Sequence, residues 1–151
     1  MAGIDDLFDL QRFVAAQDRI YPDVVDELTE GRKQSHWMWF VFPQLKGLGR
    51  SSTAMTYGIG SRAEARAYLA HPVLGPRLRE CARLTHAIDG RSAREVFGWP
   101  DELKLQSSMT LFARAADGAD ARDFRDVLAK FYDGEDDGTT VQMWESLAER
   151  D

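Results

Sequence analysis

With one cysteine in 151 residues, Cys81, the chain has no internal disulfide to form, so nothing in it calls for an oxidising compartment. Long apolar runs are missing too: none approaches the roughly 18 residues that a membrane-spanning helix needs. The opening MAGIDDLFDLQRF is acidic and lacks the basic flank and apolar core of a signal peptide, so a soluble, cytoplasmic protein is expected. The sequence has no G-x-x-x-x-G-K-[ST], no G-x-G-x-x-G and no H-E-x-x-H. His36, His71 and His86 are too widely spaced for paired ligation and no cysteine pair assists them, so neither a metal nor a cofactor is expected. Strand signals are scarce, with brief alternation and no Asn-Gly turn.

One acidic stretch imitates a calcium loop. In DGEDDGTTVQMWE, Asp133, Glu135 and Asp137 occupy positions one, three and five, and Gly138 position six. Position twelve is Trp144, and the carboxylate falls one residue late at Glu145. Without the bidentate ligand the stretch reads as a solvated turn and a helix start.

What the chain has in abundance is helical punctuation. Ile4, Leu7, Phe8, Phe13 and Val14 lie near a 3.6-residue period, predicting a helix over 5–19. Pro22 suits a first helical position and Gly31 a C-terminal cap. Ser61-Arg62-Ala63-Glu64 and Ser92-Ala93-Arg94-Glu95 both fit the capping box, in which side chains satisfy free backbone donors reciprocally. The first opens a helix that His71-Pro72 stops. Pro76 opens the next, toward Gly90, and Asp101 caps a long helix through Ala116. Phe124, Val127, Leu128 and Phe131 mark another, and a last one over about 139–149 buries Val141, Trp144 and Leu147. The expectation is a single all-α domain over 1–151, of about seven to nine helices with irregular joints. Over 36–42 every residue after His36 is apolar and periodicity cannot separate helix from strand; a short buried helix ending near Pro43 is favoured.

Charge is unevenly distributed. The net charge is −6, yet residues 31–94 carry eleven Lys and Arg against Glu64, Glu80 and Asp89, which is +8. The flanking segments 1–30 and 117–151 are strongly acidic. Inside the basic middle lies GRKQSHWMWFVFPQLKGLG, Gly31–Gly49. Trp37, Trp39, Phe40 and Phe42 are core by default. Lys33, His36 and Gln44 bracket them, and polar groups beside aromatic walls are how pockets orient ligands. A second cluster, Trp99–Phe112, puts Asp101, Lys104 and Ser108 on one helical face. A lysine beside hydroxyls suits phosphate, or activates a serine if burial lowers its pKa.

These blocks carry a resemblance. The Gly31–Gly49 run, Ser51-Ser52, Tyr57-Gly58-Ile59, Glu64-Ala65 with Tyr68-Leu69, and His71-Pro72-Val73-Leu74-Gly75 resemble an uncharacterised bacterial family, domain of unknown function 1810. So do Phe97-Gly98, Asp101, Lys104-Leu105, Ser107–Phe112 and Phe131–Gly134. The resemblance implies a compact all-helical fold and a bacterial cytosolic setting, and no activity. Its sometime label "calpastatin" does not suit a chain so rich in aromatics and helix caps, since calpastatin's inhibitory segments are disordered. It marks Lys33, His36, Gln44, Tyr57, His71, Asp101, Lys104 and Ser108 as polar positions that one cleft would gather.

The function expected is binding of an anionic small molecule, a nucleotide or other phosphorylated metabolite, in a basic, aromatic-walled cleft. Lys33, Trp37, Trp39, Gln44, Tyr57, His71 and Asp101 are the candidate binding residues. If the protein is an enzyme, a hydrolase or transferase is expected, with His36 as acid or base and Lys104 and Ser108 as further catalytic candidates. The alternative is a structural or protein-interaction domain, in which the arginines pair internally with the acidic ends. A protein partner is left open, no membrane is expected, and nucleic acid is disfavoured by a pI near 5.1.

Overall fold

Apolar faces at helical spacing need something to pack on, and in this chain several of them converge on one helix. The computed structural model describes residues 6–147, among which ten α-helices make up nearly all the regular structure. They are α1 (Gln11–Asp18), α2 (Tyr21–Glu30), α3 (Met38–Val41), α4 (Ser52–Thr56), α5 (Arg62–Ala70), α6 (Leu74–His86), α7 (Ala93–Phe97), α8 (Asp101–Ala115), α9 (Arg122–Tyr132) and α10 (Gly138–Leu147). The all-α expectation holds. The count exceeds nine by one: α3 is the short buried helix expected before Pro43 and α7 follows the Ser92–Glu95 box, while the five-residue α4 is too short for periodicity to register. The only β feature among the described residues is a one-residue parallel bridge between Leu45 and Ile59.

From Leu105 to Ala113, α8 is buried on nearly every side, the pattern of a central helix. α5, α7, α9 and α10 pack on it, with α3 touching it more lightly. α6 closes the bundle against α2, α5 and α9. One hydrophobic cluster runs from Leu10 to Trp144.

Several helix ends differ from expectation for local reasons. α1 starts at Gln11, because the Asp6 carboxylate accepts the backbone N–H groups of Leu10 (2.6 Å) and Gln11 (3.0 Å) and fixes a turn there. Residue 5 of that predicted helix lies outside the described residues. α6 begins at Leu74, two residues before Pro76, which sits in the first turn where a missing N–H costs nothing. His71 prepares that start: its Nδ1 accepts from Val73 and Leu74 N–H at 3.1 and 3.2 Å. Ser92 and Glu95 form the complete reciprocal box. Ser61 makes only half of one, since the Glu64 carboxylate is drawn to Gly60 N–H (2.8 Å) and Arg12 (2.8 Å). In α10 Trp144 and Thr140 are buried while Val141 and Leu147 are half-buried; residues 148 and 149 lie outside the described residues.

Candidate functional site

The segment between α2 and α3 is organised by Glu27, a residue that sequence reasoning passed over. Gly31 ends α2 in the left-handed conformation (φ 75°), and Arg32 N–H closes on Glu27 O at 2.9 Å. The chain therefore doubles back over the Glu27 carboxylate. That carboxylate accepts the N–H of Gln34 (2.7 Å), the N–H of Ser35 (2.9 Å), the Ser35 hydroxyl and the indole N–H of Trp37 (2.9 Å). Burial alone pushes the Glu27 carboxyl up, but hydrogen bonds from Ser35, Gln34 and Trp37 more than reverse this and bring it down to about 2. The fully buried Trp37 ring then packs on Phe42 and Phe97.

With the loop fixed, Lys33 points inward. Its Nζ lies 2.9 Å from Asp101 Oδ2, donates to Ser35 O, and stands 5.0 Å from the centroid of Trp37. Asp101 was expected as the cap of α8, but Pro100 holds that position. As the first helical residue, Asp101 spends its carboxylate on two ammoniums instead: Lys33, and Lys104 at 3.2 Å one turn further on. Lys104 Nζ lies 4.9 Å from the centroid of the half-buried Trp39. Two ammoniums thus share one carboxylate beside two indoles, with side-chain exposures of 6% (Lys33), 19% (Asp101) and 23% (Lys104). The trio by itself sums to +1, in a site where charge is costly without a partner, and the ionised Glu27, which Ser35 and Trp37 also contact, forms no salt bridge with either lysine.

The structure brings Lys33, Trp37, Trp39, Asp101 and Lys104 together, and it engages the side chains of Tyr57 and His71 elsewhere. His36 is exposed and has no hydrogen-bond partner among the described residues. Gln44 O accepts Ile59 N–H at 2.9 Å, holding the bridge. Tyr57 packs on Phe13 and Phe40. His71 caps α6. Ser108 lies on the Lys104 face of α8, fully buried, and its Oγ is the sole buried side-chain polar atom among the described residues without a partner. Its neighbours Ser107 and Thr110 each donate to the carbonyl four residues back, at 3.1 and 2.8 Å, which Ser108 does not.

A second residue missed by sequence reasoning is Gln17. Fully enclosed in α1, it donates to Phe40 O (2.7 Å) and Tyr68 Oη (3.0 Å), anchoring the end of the aromatic block. Only its place on the apolar stripe of α1, four residues after Phe13, could have signalled it. Cys81 is buried, and desolvation pushes its thiol up to about 12, which suits a packing role better than a reactive one. In the calcium-like stretch, Asp136 meets Arg114 and Arg125, and the Asp137 carboxylate caps α10 through Thr140.

Much of the basic middle is spoken for. Arg77 pairs with Asp18 (2.9 Å), Arg83 with Asp123 (4.0 Å) and Arg94 with Glu102 (3.7 Å). Arg62, Arg79 and Arg91 donate to the carbonyls of Trp144, Asp120 and Gly31. Arg32, Lys46 and Arg50 have no partner among the described residues. Cavities of about 440 and 430 Å³ open near Lys46, away from the Lys33–Asp101–Lys104 cluster.

The family described as "Protein of unknown function (DUF1810)" matches residues 7–144. The chain belongs to this family. It is also similar to a solved structure, a conserved hypothetical protein from Mycobacterium tuberculosis determined at 1.38 Å. The two are 58% identical, the match covers 93% of this chain and 99% of the other, and the TM-score is 0.90. No curated protein matches the chain.

Proposed function

We propose that this member of the DUF1810 family binds an anionic small molecule, of the class of nucleotides and other phosphorylated metabolites, at the Lys33–Asp101–Lys104 face. The observation that carries this reading is the leftover charge: one carboxylate between two ammoniums, which an incoming oxyanion would balance. Lys104, the more exposed of the two, is the contact group. The half-buried Trp39 is a flat wall for a base or sugar. The unpartnered Ser108 hydroxyl one turn along the helix supplies a further donor if binding opens a path to it. Binding rather than catalysis is proposed, because the exposed His36 has nothing to orient it for proton transfer. A bacterial cytosolic setting is proposed with it. The Mycobacterium tuberculosis relative supports the bacterial part, and among the described residues no helix is long and apolar enough to cross a membrane.

The structural or interaction reading has its own support. The internal pairing of Arg77, Arg83 and Arg94 neutralises part of the basic middle, as architecture alone would require. A thermal-shift screen of nucleotides, ADP-ribose, nicotinamide cofactors and sugar phosphates against the wild type and Lys104→Ala separates the two. The binding reading predicts stabilisation that Lys104→Ala loses. No shift with any compound rejects it in favour of the interaction reading.

A further inference from the structure

A different part of the aromatic block supplies a second site. Lys46 follows the bridge residue Leu45, and the backbone holds it from both directions: Lys46 N–H donates to Ile59 O (2.8 Å), and Ile59 N–H donates to Gln44 O (2.9 Å). Its stem is equally confined. A Cβ on Gly58 would stand 2.6 Å from Lys46 Cα and 2.7 and 2.9 Å from its Cβ and Cγ, so the absence of a side chain there lets the lysine stem lie against the 58–59 backbone. The ammonium, by contrast, has no acidic partner among the described residues.

Lys46 and Gly60 line both neighbouring cavities, which places them on a shared rim. The two sides differ in charge. On one, about 430 Å³, Asp9 and Glu64 offset Lys46 and Arg12, and Arg12 is already held by Glu64 and the Thr56 and Gly58 carbonyls. On the other, about 440 Å³, Lys46 is the sole charged lining residue among the described residues; Leu45, Ile59, Met143 and Leu147 form apolar walls, and Gln142 and Ser146 add polar edges. A cavity of this size with apolar walls and one exposed cation on its rim, confined at its stem, matches the chemistry of small-molecule sites.

We infer that the cavity between the Leu45–Ile59 bridge and α10 binds a small amphipathic anion, its carboxylate or phosphate head on Lys46 and its apolar body against Met143 and Leu147. The head supplies the charge that Lys46 lacks, and the body covers apolar surface. This site is separate from the Lys33–Asp101–Lys104 face and does not depend on the reading given to it.

Calorimetric titration with octanoate and with octyl phosphate tests the inference, and comparing the two identifies the preferred head. Octanol and octyltrimethylammonium are the controls for the charge. Wild type and Arg32→Gln, which removes an exposed cation that lines neither cavity, are expected to bind octanoate equally. Lys46→Gln, and Ser146→Glu, which adds a negative charge at an exposed lining position, are expected to bind at least about fivefold more weakly. Circular dichroism melts establish that both variants are folded. Octanol binding as tightly as the anions, unchanged affinity in Lys46→Gln, loss of octanoate binding in Arg32→Gln, or no heat from either anion would each overturn it.

Discussion

Glu27 shows how one side chain can settle the shape of a loop. Its carboxyl is held at about 2, below the usual value near 4.5, because the folded loop donates to its ionised form. The sign follows from linkage: a depressed folded pKa contributes stability in full above the unfolded value and loses it as pH falls through the folded value. The contribution is on the order of 3 kcal/mol near neutrality, and it should drain away between roughly pH 4.5 and 2. Acid unfolding of Glu27→Gln should therefore be flatter over that window, from a lower starting stability; an unchanged acid limb would refute the assignment. The Lys33–Asp101–Lys104 cluster makes a ranked prediction. Asp101→Asn leaves two ammoniums facing each other and should cost about 3–5 kcal/mol, whereas Lys33→Met keeps the Asp101–Lys104 pair and should cost about 1–3 kcal/mol. Lys104→Met, at the exposed end, should cost less than either. Urea melts of the three variants check the order, and equal costs would mean that the shared carboxylate has no special role. At this scale the sequence was partly legible. Lys33, Asp101 and Lys104 were recognisable by charge and helical spacing, but Glu27 and Gln17 were not, since only the folded chain brings their partners near.

At the scale of the element, spacing alone marked most helices, and their ends were decided by competition for side chains. Both capping-box sequences read alike, yet Ser92–Glu95 closes on itself while Glu64 turns to Gly60 and Arg12. The consequence is measurable. Ser61→Ala and Ser92→Ala should each cost about 1 kcal/mol. Glu64→Ala should cost about 2–4 kcal/mol, because it takes the carboxylate from Arg12, leaving that charge only carbonyl partners, and frees Gly60 N–H as well. Glu95→Ala, at an exposed position, should cost a small part of that. Equal losses for the two glutamates in thermal melts would contradict the diverted box. Asp101 illustrates the same limit: sequence offered it as a cap, and the approach of Lys33 from a loop 68 positions earlier made it an ion-pair partner. Of the short helices, α3 and α7 were legible from an apolar run before Pro43 and from a capping box, whereas α4 was not, because so short a helix has no period to measure.

Across the whole molecule, the acidic ends and the basic middle are partly a pairing scheme, as in Arg77 with Asp18 and Arg83 with Asp123. The charge map therefore overstated how much positive surface is free, and the location of the unpaired charge was legible only after folding. The aromatic block divides similarly: Trp37 and Phe42 are core, while Trp39 remains half-buried beside Lys104. The central claim is that the leftover charge at Lys33–Asp101–Lys104 receives an anion. Four tryptophans give four indole N–H resonances, assignable through single Trp→Phe variants, and the most direct measurement is their NMR titration with AMP and with pyrophosphate. Trp39 should shift most and Trp37 next, Trp144 should stay in place, and Lys104→Ala should abolish the response. No movement of Trp39 with either probe, or a response led by Trp144, would contradict it.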